Sequence, residues 1–248
     1  MPICHNPEIV RPLLLANEAA TRSIYNVIFG TAGAQASWIR VDDLENPHAV
    51  VARCTTLGRR NMLYLWATGP HPAERVLREI PRRWKFELAA TPHKFVAVAK
   101  RLRKINWVGT PCYMYALDPP RLVINRAHHV GTLRDEDVPL VTQYWTHGKS
   151  QDYIRWRIQA GPTCAVRVKR RLAAWALTHA DGTMGILHVL EEYRGRDMAR
   201  AITTALAQRC RKAGIKPFLY ILRSNRASIN LTESMGFTRH GTYTWFGE

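Results

Sequence analysis

The segment from Ile186 to Ile202, ILHVLEEYRGRDMARAI in one-letter code, narrows the fold of this chain more than any other. It reads as an apolar strand, a short basic loop and an amphipathic helix. Met198, Ile202, Ala205 and Leu206 recur at i, i+4, i+7 and i+8, which gathers one apolar face and assigns Arg200, Arg209 and Arg211 to water. A buried strand that feeds a basic loop into a helix start is a place for a phosphate. The first turn of a helix has N–H groups with no partner inside the helix, at the positive end of its dipole.

The strand before that loop has a partner that can be read from the sequence. Asp181-Gly182 stands between two alternating runs and is a strong signal for a two-residue hairpin turn. With Ala180 paired to Thr183, Leu177 falls opposite Ile186 and Trp175 opposite His188. Cross-strand partners share a face, so Trp175 and His188 should lie side by side just before the loop. Two readings of His188 follow: a half-buried histidine satisfied by its surroundings, or a group that acts on a ligand brought there by the loop.

Around this centre the elements alternate. Helical character runs over residues 12–29 with Gly30 as a stop, and strands are expected at 37–41, 49–53 and 61–67. A helix at 72–80, a strand at 84–89, a basic helix at 92–105 and a strand at 113–117 complete the first half. Pro119-Pro120 is the best boundary in the chain, so we expect domains at 1–125 and 126–248. In the second half a strand is expected at 126–130, and acidic residues Asp135, Glu136 and Asp137 mark a helix start. A helix capped by Ser150 follows, then strands at 164–168 and 173–178. Beyond the central helix come a strand at 218–222, a helix at 228–235 closed by Gly236, and a strand at 238–246. This order makes an α+β (α/β sandwich) fold around a mixed sheet.

Composition sets limits on partners. The chain has 248 residues with 36 Lys/Arg against 19 Asp/Glu, a formal charge of +17. Such a surplus attracts polyanions or phosphorylated ligands. It is spread evenly, with 17 Lys/Arg against 9 Asp/Glu in residues 1–125 and 19 against 10 in 126–248. That evenness counts against a dedicated nucleic-acid binder, which gathers its charge on one face. Five cysteines, none spaced C-x-x-C, indicate neither a disulfide framework nor a zinc site, and no metal is expected. With no long apolar run and no leader-like start, we expect a cytoplasmic protein that does not enter the membrane. Nothing in the sequence fixes an oligomeric state.

The loop resembles the coenzyme A signature of the GNAT acyltransferase superfamily, R-x-x-G-x-[GA]. Arg194, Gly195 and Ala199 match it, while Asp197 stands where the family has its second glycine. A second stretch, Asn225 to Phe237, is similar to the family's N-x-x-[AS]-x-x-L-Y-x-x-x-G-F, with Thr232 in place of tyrosine. The element order also resembles the glycine N-acyltransferase-like branch, in which a degenerate copy of the fold precedes the active one. The resemblance implies two tandem GNAT-like domains, a mixed sheet flanked by helices, and an N-acyltransferase that uses acetyl-CoA or another acyl-CoA. The acceptor it implies is the amine of a small molecule or an amino acid.

By the same resemblance the coenzyme would be held by Val189, Leu190, Arg194, Gly195, Arg196, Asp197, Met198, Ala199, Arg200 and Asn225. The Val189 amide would steady the thioester oxygen, His188 is the one titratable candidate for a base on its strand, and Trp175 and His188 would meet the acceptor. With threonine in place of the tyrosine, either the thiolate leaves unaided, which its modest basicity permits, or Tyr243 or a water substitutes as acid. Asp197 admits two outcomes. A carboxylate at roughly 6 Å from a pyrophosphate costs about 2 to 3 kcal/mol per charge pair at an effective dielectric of 20. Either it turns away and coenzyme binds, or binding is weak or absent; Asp197 and Thr232 together give the alternative of a GNAT-like protein that binds coenzyme A or a partner without turnover.

Overall fold

The computed structural model describes residues 3–56, 59–118, 128–145, 148 and 150–248. In chain order these form α1 (Arg11–Leu15), α2 (Glu18–Phe29), β1 (Ala36–Val41), β2 (Ala49–Thr56), β3 (Arg59–Ala67), α3 (Pro70–Arg78) and β4 (Glu87–Pro92). Next are α4 (Val96–Leu102), β5 (Trp107–Val108), β6 (Cys112–Ala116), α5 (Val138–Tyr144), α6 (Gln151–Ala160), β7 (Thr163–Val168), β8 (Arg171–Thr178) and β9 (Met184–Val189). The chain ends with α7 (Met198–Lys212), β10 (Phe218–Leu222), α8 (Arg226–Ser234) and β11 (Thr238–Gly247). The architecture is the expected mixed α+β class.

The residues fall into two compact units that do not coincide with 1–125 and 126–248. The first holds Met1–Met114, Ile221–Ser224 and Arg239–Glu248, and the second Tyr115–Tyr220 and Asn225–Thr238. The expected boundary at Pro119-Pro120 lies outside the described residues. The end of the chain joins the first unit because β11 pairs antiparallel with β4, Phe246 facing Leu88. Strand pairing across so long a separation leaves no local mark in a sequence.

In the first unit β1, β2 and β3 form an antiparallel meander, and β3 runs parallel to β4. Val51, Leu63 and Leu65 on one sheet face pack with Ala73, Val76 and Leu77 of α3 and Val98 and Ala99 of α4. The expected helix over 12–29 is two, since the backbone turns out of helical geometry at Asn17. The expected basic helix over 92–105 shortens to α4. Arg103 becomes extended, and its guanidinium reaches the Glu248 carboxylate at 2.6 Å.

In the second unit β7, β8 and β9 form an antiparallel sheet in that order, and α7 packs on all three. Of the strand expected at 126–130, residues 126 and 127 lie outside the described residues and 128–130 are not in a strand. Ser150 caps α6 as expected, its hydroxyl accepting from the Tyr153 N–H at 3.1 Å.

The apolar stripe of α7 is buried at Met198, Ile202 and Leu206, but Arg209 is not the solvated residue its helical position suggested. Its guanidinium donates to the carbonyls of Val130 and Gly131, both at 2.8 Å, and to that of Thr163. A long side chain at the margin of the stripe can reach back beneath the helix, and a planar fork suits several carbonyls at once. Arg209 thus pins the last turn of α7 to β7 and to the segment before α5. We expect Arg209→Met to lower stability by about 1 to 3 kcal/mol, because buried carbonyls lose their donors. Arg209→Lys should recover only part of that loss, as read from urea unfolding midpoints.

Candidate functional site

The hairpin before the loop forms its expected contact by an unexpected route. The turn is one residue longer than Asp181-Gly182 alone: the His179 N–H donates to the Thr183 carbonyl at 2.8 Å, and Gly182 takes a left-handed φ of 83°. Leu177 therefore faces Gly185 and not Ile186. Ile186 is then an extra residue, a bulge with φ 49°, and beyond it the register returns so that Trp175 faces His188 and Ala174 faces Val189. A β-branched residue with positive φ is strained by about 1 to 3 kcal/mol, and such bulges re-aim a strand.

The register fixes where the backbone of β9 points. The Leu190 N–H donates to the Ala173 carbonyl at 3.0 Å. Successive amides of an antiparallel strand alternate in direction, so the Val189 N–H points away from β8. β9 is the outer strand of its sheet, so that amide faces the open edge. The Val189 carbonyl points the same way, and Arg194 Nε donates to it at 3.4 Å.

After β9 the chain makes a single turn over Glu191–Tyr193 and enters α7 through Arg194, Gly195, Arg196 and Asp197. Gly195 has φ 74°, and a Cβ there would meet nothing within 4 Å, so backbone conformation rather than crowding calls for glycine. Asp197 is the N-cap residue and is itself left-handed, with φ 59° and ψ 13°. Its carboxylate makes no capping bond and instead accepts from Arg200 Nε at 3.3 Å. The N-cap side chain thus leaves the first amides of α7 without a capping bond, the arrangement an anion requires.

These amides open into a groove of about 220 Å³. Of the expected coenzyme residues, Val189, Arg194, Gly195, Asp197, Met198, Ala199 and Arg200 line it. Leu190, Arg196 and Asn225 do not. Leu190 lines a different cavity. Arg196 lies over the Tyr193 ring, and its carbonyl accepts from His128 Nε2 at 2.6 Å. The Asn225 side chain caps α8, accepting from the Ser228 N–H at 3.1 Å, which is its turn-forming role. Tyr193 and Leu231 also line the groove and are not among the expected coenzyme residues: Tyr193 precedes the loop signature, while Leu231 holds the leucine position of the second motif.

His188 packs against two aromatic rings, 4.9 Å from Trp175 and 4.3 Å from Tyr144, centroid to centroid, and those two meet each other at 5.8 Å, so the three form one cluster. Trp175 has no exposed surface, which corrects its expected contact with an acceptor: it is the floor beneath His188. Tyr144 is 41% exposed and packs against both rings, a neighbour that α5 supplies and that local sequence does not announce. Burial, and then the charge of Arg194, hold the His188 imidazole below its ordinary 6.5. Thr232 is buried. The Tyr243 hydroxyl donates to the Ala20 carbonyl at 3.0 Å within the first unit, and burial raises its pKa, so it is not poised as an acid.

Because the folded pKa of His188 lies below the unfolded value, the unfolded chain binds more protons. The stability contributed by the neutral ring is present above 6.5 and is lost as pH falls from there through the folded pKa. The titration midpoint of His188, followed by NMR, should lie below 6.5, and Arg194→Gln should move it upward by part of the difference. A midpoint at or above 6.5 in the unaltered chain would contradict this geometry.

Among the described residues no group of three or more His, Cys, Asp or Glu could hold a metal ion, and no helix is long and apolar enough to cross a membrane. Residues 165–246 match the model of a family described as FR47-like protein. No curated protein sequence matches the chain. Among solved structures, a protein of Drosophila aligns over 95% of this chain and 88% of its own at a TM-score of 0.72 and 15% identity. A GCN5-related N-acetyltransferase from Kribbella flavida aligns over 94% and 95% at 0.61 and 12% identity. A GCN5-related N-acetyltransferase-like protein from Streptococcus suis aligns over 97% and 98% at 0.57 and 17% identity. At such identities the likeness establishes the fold: a mixed sheet flanked by helices, of the GNAT type.

Proposed function

We propose that this chain is an acyl-CoA-dependent N-acyltransferase that passes an acetyl or other acyl group directly to the amine of a small molecule or amino acid. One observation carries the reading: the uncapped start of α7 opens into a groove that also reaches Val189, whose amide faces outward beside His188. The GNAT fold supports it.

The residues present suit a coenzyme with a pyrophosphate. Gly195 lets the backbone turn tightly, and the amides of Met198, Ala199 and Arg200 offer donors at the positive end of the helix. Arg194 and Arg200 add charge, which offsets Asp197. Acyl-CoA, when bound, supplies an acyl group activated on a thiol of modest basicity. The Val189 N–H would donate to the oxygen on which charge develops. An amine attacks only when neutral, and His188, neutral near pH 7, would accept its proton directly or through a water. Trp175 and Tyr144 hold that ring in place.

A second reading, a coenzyme A binder without turnover, is favoured by the Asp197 carboxylate in the groove and by a buried threonine at position 232. We also read the first unit as a degenerate copy of the second. Both run helix, three-stranded antiparallel meander, helix, strand. Five free, buried thiols suit a reducing compartment, which supports a cytoplasmic location.

Release of free thiol from acetyl-CoA in the presence of an amine panel tests the proposal. We expect turnover, and we expect His188→Ala to lower kcat about 100-fold or more while coenzyme affinity stays within a few-fold. Coenzyme binding without thiol release from any amine would select the second reading. No binding at millimolar acetyl-CoA would refute both.

A further inference from the structure

A second cavity, about 410 Å³, lies within the same unit and is not part of the coenzyme groove. The two share Tyr193, and the Val189-Leu190 backbone separates them, Val189 lining one and Leu190 the other. Alternate residues of a strand share a face, so Leu190 lies on the His188 face, about 7 Å further along. α5 repeats the relation. Leu140 lines the cavity, and Tyr144, one turn later, covers His188. The cavity therefore lies on the His188 face, two residues beyond a ring that does not itself line it, and extends away from it along β8.

Its chemistry changes along its length. Leu140, Leu172 and Leu190 make the near and middle walls apolar. At the far end are Arg170, in the turn between β7 and β8, and Arg171, the first residue of β8, both exposed. Of the carboxylates around it, Asp137 is held by Arg167 at 2.6 Å and Glu136 by Arg134 at 3.1 Å. Glu192 then stands against two guanidinium groups, so the far end favours an anion. The turn that presents them is strained. Val168 pairs with Arg171, so Lys169 and Arg170 form a two-residue turn, and both are left-handed, with φ 47° and 67°. Such a turn normally takes Asn or Gly.

We infer that this cavity holds the acceptor, and that the acceptor is an amine joined through an apolar spacer to a distant anionic group, read by Arg170 and Arg171. This rests on the transferase reading above. His188 faces Trp175, and the bulge opposite Val166 and Arg167 leaves three ladder steps from the Ala165–Trp175 pair to the Val168–Arg171 pair, about 10 Å along the strand. The amine and the anion therefore stand on the order of 10 Å apart. An ω-amino carboxylate of about eight carbons spans that distance. Glycine does not.

Steady-state kinetics of the full chain with acetyl-CoA, across unbranched ω-amino carboxylates and the matching ω-amino amides, test the inference. For the carboxylates KM should fall with length to a minimum near eight carbons, at least about tenfold below glycine, a difference of about 1.4 kcal/mol. The amides should show no such minimum. Arg171→Gln should raise KM for the long carboxylate about tenfold and leave its amide unchanged. Arg170→Asn should do the same while raising the unfolding midpoint, since Asn tolerates the left-handed turn. Lys169→Asn should raise the midpoint and leave KM alone. Equal KM values for acid and amide, a preference for glycine, or variants that weaken both series alike would overturn the inference and leave the transferase standing. If the unaltered chain releases no thiol with any amine, both fall.

Discussion

The extra residue in β9 is the constraint on which the site depends. A hairpin with the turn found at His179–Thr183 and no bulge would keep Leu177 opposite Gly185 and carry Trp175 opposite Leu187. Histidine would then leave the shared face with the tryptophan, and the outward amide would move off Val189. Ile186, strained at φ 49°, shifts the register by one and so sets which ring meets Trp175 and which N–H faces the open edge. An apolar core beneath it, with Trp175 fully buried, holds the strain in place.

The helix that follows is set by polar anchoring as well as by apolar packing. Met198, Ile202 and Leu206 bury the face of α7 against the sheet, while Arg209 ties it to Val130, Gly131 and Thr163. With its apolar face buried and its last turn fixed, the helix keeps its first turn beside the end of β9. Arg200 links Asp197 to Ser234 of α8, at 3.3 and 3.0 Å, so the carboxylate at the capping position is held to the side by the residue three positions on. Two short interactions decide whether the amides meet a ligand or a side chain.

Much of this was legible in the sequence, because the signals were local. The strand-loop-helix order, the apolar stripe of α7, the Ser150 cap and the Trp175–His188 pairing all follow from periodicity and turn chemistry. The pairing is instructive. A turn taken one residue too short and a bulge not foreseen shift the register in opposite senses, so the inferred pair is right although Leu177 and Ile186 never meet. What could not be read depends on contacts between distant segments. Tyr144 reaches His188 from α5, β11 completes the sheet of the first unit, and Arg209 folds back under its own helix. The roles of Asn225 and Tyr243 turned on partners, Ser228 and Ala20, that local pattern does not select.

The central claim is that the Val189 amide is kept out of the β8–β9 ladder for a ligand gripped at the start of α7. Amide hydrogen exchange resolved to single residues tests it directly. The expected result is fast exchange at Val189 in the free protein, slow exchange at Leu190 beside it, and protection of Val189 together with Met198, Ala199 and Arg200 at saturating acetyl-CoA. Slow exchange at Val189 without ligand, or protection by acetyl-CoA that leaves these four amides unchanged, would contradict it.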